Sequence, residues 1–224
     1  MPLSRFERTL PWTGVLAALA WVGQSALFRT DTEARPGRAS TDVIQADLVR
    51  NHAAIGCLVV MGVALVFFAS ALRAHLRSGE AREATYSAVA HGGLLLAAAG
   101  LSQMVVWSWG LVNGAADAGD DLALGVLSQV SFFGFAGMGI GLSAAMLATG
   151  LGGLANAVLP RWFAVTSIVM GALGALGNAG VPPGGLVNYL LMPLWLVAVA
   201  VIVVRRQRAS AGTCVPAGPA PRAG

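Results

Sequence analysis

The polar side chains inside the apolar stretches of this 224-residue chain are all uncharged. They include Gln24, Gln103, Gln129, Asn178 and Asn188, with Ser102, Ser128, Ser131, Ser143, Thr166 and Ser167. Polar groups at membrane depth are the first place to look for a site. Amides and hydroxyls there can line a cavity that holds a small solute, and Gln24, Gln103, Gln129 and Asn178 are the candidate lining residues. The same groups can instead hydrogen-bond one helix to another, at about 0.6 kcal/mol per interaction on average. Gln103 and Gln129 lie well inside their segments, and antiparallel neighbours would bring them to similar depth in the outer half. The sequence predicts that this pair meets or shares a cavity.

The histidines offer proton chemistry or metal binding. His91 sits just inside one end of its apolar segment, where a group titrating near neutrality could serve a proton-coupled site. Such a relay needs a carboxylate within the membrane, and no segment contains one. The alternative is an interfacial histidine with a water or backbone partner. His52 and His75 fall at segment ends, and the spacing of His52 from Asp42 and Asp47 matches no standard zinc site. Met61, Met104, Met138, Met146, Met170 and Met192 are soft enough for Cu(I). They have no repeated spacing, so they read as packing residues. There is no GxSxG elbow with triad partners, no HExxH, no Walker loop and no intramembrane Asp pair. The sequence therefore predicts no catalytic residue, no metal site and no cofactor.

The elements that position these residues are six apolar segments free of charge: Pro11–Phe28, Ala53–Leu72, Ser87–Val112, Leu122–Thr149, Trp162–Gly180 and Leu186–Val204. A helix needs about 20 such residues to cross the hydrocarbon core. The segments are apolar all round and lack the period-two alternation of barrel strands, so helices are expected. Each must close its own hydrogen-bond ladder, because lipid offers no partner. The third and fourth segments exceed a crossing and should tilt or extend beyond the lipid.

Arginine sets the direction. All 14 Lys+Arg residues are Arg, and the net charge is +4. With the N-terminus inside, Arg5, Arg8, Arg73, Arg77, Arg82, Arg161, Arg205, Arg206, Arg208 and Arg222 are cytoplasmic, whereas Arg29, Arg35, Arg38 and Arg50 share one outer loop. That bias predicts cytoplasmic termini. The pI near 10.0 is thus a topology signal. These arginines flank helix ends without aromatic interleaving, which argues against nucleic-acid binding. The expected fold class is all-α: one six-transmembrane-helix bundle over residues 1–208 in the bacterial inner membrane, followed by a disordered cytoplasmic tail over 209–224.

Local signals fill in the joints. Pro36 and Gly37 predict an irregular first half of the outer loop, and Ser40-Thr41-Asp42 an N-cap before renewed helix. Asp120 or Asp121 should cap the fourth segment, and Pro160 should start the fifth. Trp12, Trp107, Trp109 and Trp162 fall at expected interfaces. Cys57 and Cys214 lie on opposite sides and form no framework. Gly137, Gly139 and Gly141, and then Gly171, Gly174, Gly177 and Gly180, permit close helix contact. Pro193 removes a ladder bond near the Tyr189 carbonyl and should kink the sixth segment.

The segment Phe68-Ala69-Ser70-Ala71-Leu72-Arg73-Ala74-His75-Leu76-Arg77, then Ala148-Thr149-Gly150-Leu151, Val158-Leu159-Pro160-Arg161-Trp162 and Leu194-Trp195-Leu196-Val197 through Arg205-Arg206, carries a resemblance. The chain resembles a group of membrane proteins common in high-GC actinobacteria and related to bacterial six-helix families of unknown function. The use of Arg without Lys agrees with a high-GC source. The resemblance implies the six-helix architecture and brings no activity or site residues with it.

Three functional readings follow. The first is a non-enzymatic accessory or assembly protein, whose partners are membrane lipids and a partner membrane protein or further copies of itself. The second is a small-solute carrier or channel built on the uncharged polar residues. The third is a lipid-acting membrane enzyme, which would need a nucleophile or metal at headgroup depth.

Overall fold

Segments with apolar side chains on every side leave the backbone no partner but itself. Helices are what form. A computed structural model describes residues 5–32, 35–80, 84–181 and 184–212. The helices are α1 (Arg5–Thr9), α2 (Trp12–Leu27), α3 (Thr41–Ala46), α4 (Leu48–Arg77), α5 (Thr85–Trp109), α6 (Ala116–Ala118), α7 (Asp121–Phe133), α8 (Phe135–Ala155), α9 (Arg161–Asn178) and α10 (Gly184–Gly212). A π-helical stretch, Gly110–Ala115, joins α5 to α6. Among the described residues, four stretches are long and apolar enough to cross a membrane: Leu48–Arg77, Thr85–Ala118, Ala136–Ala155 and Tyr189–Ala209. Beside them, α2 has 16 residues and α9 has 18.

The longer helices close a ring. α2 packs on α4, α4 on α5, α5 on α8, α8 on α9 and α9 on α10, and α10 returns to α2. Neighbours in space are therefore neighbours along the chain except at the closure, the arrangement short connections favour. Each helix turns one line of residues inward at a spacing of three and four. On α4 this line includes Leu58, Met61, Leu65, Phe68 and Leu72, and on α5 it includes Leu94, Ala97, Leu101 and Met104. Met61, Met104, Met138, Met146, Met170 and Met192 are all buried in this core, where flexible thioethers fill irregular gaps. A second cluster at one end joins Ile44, Ile55, Leu111, Val112 and Leu124.

Glycine sets how closely α8 is approached on two sides. A Cβ at Gly100 of α5 would lie 2.5 Å from Met138 N, and one at Gly93 would lie 2.7 Å from Gly141 O. Reciprocally, a Cβ at Gly141 would lie against Ala97 N and 2.5 Å from Gly93 O. On the other side, Gly150 meets the Ala164 carbonyl of α9, and Gly171 of α9 meets the Ser143 carbonyl. Backbone thus rests on backbone, the contact that small residues allow in lipid.

Two expectations are revised. The first half of the loop after α2, expected to be irregular, forms an antiparallel hairpin of β1 (Asp31–Thr32) and β2 (Arg35–Ala39). A two-stranded ribbon is all edge, so Pro36 breaks no ladder that matters. The segment expected as one helix over 122–149 divides at Gly134 into α7 and α8. Glycine weakens a helix interior by about 0.5–1 kcal/mol relative to alanine, which makes it the natural point of division.

Candidate functional site

The polar groups of the interior gather where helices meet. Between α2 and α10, Trp21 Nε1 donates to the Tyr189 carbonyl at 3.1 Å. That carbonyl lies four residues before Pro193, which has no N–H to offer it. The indole therefore supplies the bond that proline withholds. The Tyr189 hydroxyl donates to Ser25 Oγ at 2.9 Å, and the Trp21 and Tyr189 rings meet edge to face at 5.1 Å. Gln24, beside Ser25, is only 8% exposed and completes this cluster. Between α9 and α10, Trp195 Nε1 donates to Ser167 Oγ at 2.9 Å, and Ser167 in turn donates to Phe163 O at 2.9 Å.

At the end bearing the hairpin, Asn51 is 0% exposed and makes two bonds to one residue. Its Oδ1 accepts from Arg29 N at 2.8 Å and its Nδ2 donates to Arg29 O at 2.7 Å. His52 Nε2 lies 2.8 Å from Asn113 Oδ1, with the Trp109 ring 5.1 Å from the imidazole. Asn113 belongs to the π-helical stretch, whose extra residue per turn re-aims its side chains. Asp120 Oδ1 accepts from Leu122 N and Ala123 N, each at 3.0 Å, and so caps α7 as expected.

At the opposite end, His75 Nε2 contacts Val158 O at 3.3 Å and Arg206 donates to Ala157 O at 3.4 Å. Ala157 holds a φ of 52°, so two side chains pin a strained turn between α8 and α9. This end collects Arg73, Arg77, Arg161 and Arg206.

The four candidate cavity residues are dispersed. Gln24 is buried at the α2–α10 seam. Asn178 is half-buried at the end of α9, with its side chain against Gly139 of α8 and its Nδ2 buried without a partner among the described residues. Gln103 and Gln129 are both exposed, and no hydrogen bond joins them among the described residues. Helical phase explains their exposure. The inward line of α5 passes through Leu101 and Met104, and each residue advances by about 100°, which turns Gln103 outward. On α7 the inward residue is Leu124, and Gln129 sits five residues further round. Asn188 and Cys214 carry no described side-chain contacts because they lie outside the residues whose side chains are described.

Sequence reasoning missed the His52–Asn113 pair, the Asn51 clamp and the Trp21 bond. Only the last had a signal: Pro193 marks the Tyr189 carbonyl as needing a partner, but no one-dimensional rule points to Trp21. Among the described residues, no group of three or more His, Cys, Asp or Glu side chains comes together. The arrangement joins helices mainly through neutral hydrogen bonds, with Arg50 to Ala26 O and Arg206 to Ala157 O as the charged exceptions. No protein-family model, curated protein or solved structure matches the chain.

Proposed function

We propose that this chain is a non-enzymatic multi-pass protein of the bacterial plasma membrane, with six spans and cytoplasmic termini, acting as an accessory or assembly partner of another membrane component. Four helices able to cross a membrane support the lipid setting. The gathering of Arg73, Arg77, Arg161 and Arg206 at one end of the ring supports the orientation, because basic residues are retained on the cytoplasmic side. The resemblance to actinobacterial six-helix proteins belongs to the same proposal.

The observation that carries the accessory reading is how interior polar groups are used. Trp21, Ser25, Tyr189, Ser167 and Trp195 bond across helix seams, and backbone contacts through Gly93, Gly100 and Gly141 lock α5 to α8. This is the construction of a fixed scaffold. Its outward faces remain apolar, with Leu16, Leu19, Val106 and Leu194 exposed. Gln103 and Gln129 also face outward, where a neighbour in the bilayer can satisfy them.

Native mass spectrometry of the chain in lipid nanodiscs, extracted without delipidation, tests this. A second polypeptide at fixed stoichiometry is the expected result. A monomer or homo-oligomer carrying one defined small solute, released by Gln24→Ala or Asn178→Ala, would replace this reading with the carrier.

A further inference from the structure

At the basic end of the ring, a cleft of about 320 Å³ is lined by Ser70, Arg73, Ala74 and Arg77 from α4 and by His91 from α5. The α4 residues recur at steps of three and four, so they form one stripe facing the same way. Neither Arg73 nor Arg77 has a hydrogen bond or ion pair among the described residues. Two guanidinium groups held near each other repel unless an anion lies between them. His91 Nδ1 is buried and has no partner among the described residues, which leaves Nε2 as the nitrogen available to a ligand. Among the described residues, the lining brings together Ser70, Arg73, Arg77 and His91, all able to donate to an anion, and no carboxylate.

Depth identifies the anion. The uncharged run of α4 ends at Leu72, so Arg73 and Arg77 lie at the edge of the hydrocarbon, where lipid phosphates sit. The stripe continues toward the bilayer centre as exposed Val66 and Val63, and α5 continues from His91 to exposed Leu95. A soluble phosphate would gain nothing from that apolar continuation, whereas an acyl chain would lie along it.

We propose that the cleft between α4 and α5 binds the headgroup phosphate of an anionic phospholipid. Arg73 and Arg77 engage its oxygens, His91 donates from the α5 side, and an acyl chain runs past Val66 and Leu95. This rests on the chain spanning a bilayer and is independent of which way it is threaded. Arginine suits the task because its planar fork matches phosphate geometry.

The test uses the full chain purified in detergent and titrated with phosphatidylglycerol, with bound lipid counted by native mass spectrometry. The unmodified chain is expected to retain one phosphatidylglycerol in preference to phosphatidylcholine. The double variant Arg73→Gln/Arg77→Gln should weaken that binding by about tenfold or more, the loss expected for removing charge-assisted bonds. His91→Ala should weaken it by about threefold. Arg205→Gln/Arg208→Gln, at the same end but outside the cleft, should change it by less than about twofold. Arg73→Lys/Arg77→Lys, which keeps the charge and the fold, should fall between the unmodified chain and the Gln double variant. Equal binding by the Gln double variant and the unmodified chain would overturn the proposal. So would equal losses from the two Gln pairs, which would indicate diffuse attraction. Displacement of the lipid by millimolar inorganic phosphate would assign the cleft to a soluble phosphate instead. Failure of the unmodified chain to insert into liposomes would overturn the bilayer reading itself, a result separable from all of these.

Discussion

Replacing Trp21 with Phe tests whether the indole stands in for the hydrogen bond that Pro193 cannot make. In the native chain Trp21 Nε1 sits 3.1 Å from the Tyr189 carbonyl. Trp21→Phe keeps an aromatic ring near Tyr189 but removes the donor. A stranded buried polar group costs about 1–3 kcal/mol, and the lost indole volume adds about 1 kcal/mol. In a Pro193→Ala background, residue 193 regains an N–H that reaches the same carbonyl along the helix. Only the volume part of the Trp21→Phe cost should then remain. The coupling between the two substitutions should be about 1 kcal/mol, within the range of interhelical bonds in lipid, which average about 0.6 and reach about 1.7 kcal/mol. Reversible unfolding in mixed micelles, followed by far-ultraviolet circular dichroism on the four proteins of the cycle, measures it. A coupling below about 0.3 kcal/mol would mean that the two sites act independently and would refute the reasoning.

Three further perturbations probe other contacts. Gly141→Val places a side chain against the Ala97 N and Gly93 O of α5, and should lower stability by about 2–3 kcal/mol in the same unfolding assay; a neutral result would show that α5 and α8 are not in backbone contact. Asn51→Ala strands the Arg29 N–H and carbonyl, at a cost of about 2–3 kcal/mol, and should speed hydrogen exchange in the hairpin that follows without loosening α9; unchanged exchange at Arg29 would sink that assignment. Ser167→Ala leaves Trp195 Nε1 without its acceptor and should cost about 1 kcal/mol, whereas Ser167→Thr, which keeps the hydroxyl, should cost less; equal losses in the two variants would show that the bond contributes nothing.

The helical outline of the fold was legible from the chain because long apolar runs obey one dominant rule. A charge-free apolar run must be helical, so the helices could be placed from composition alone. The Asp120 cap and the close approach through Gly141 were also legible, since each depends on a residue type with a single strong local preference. The hairpin over β1 and β2 was hidden because Pro36 and Gly37 advertise a turn but not the pairing around it. The division at Gly134 was hidden because the glycines of α7 and α8 read alike in sequence.

The candidate polar residues show where local reading stops. Their identities and depths are properties of the chain, but which way each faces depends on helical phase relative to neighbours. A shift of one residue turns a side chain by about 100°, enough to separate buried Met104 from exposed Gln103. What the sequence by itself determined is the helical class, the presence of helices long and apolar enough to cross a membrane, and the uneven distribution of arginine, because these follow from composition summed over whole segments. What only the tertiary structure decided is which groups meet: Trp21 with the carbonyl freed by Pro193, Asn51 with Arg29, and Arg73 and Arg77 with His91 around one cleft. Those meetings depend on the ring closing α10 onto α2 and on glycine bringing α5 and α8 together, and no single segment contains that information.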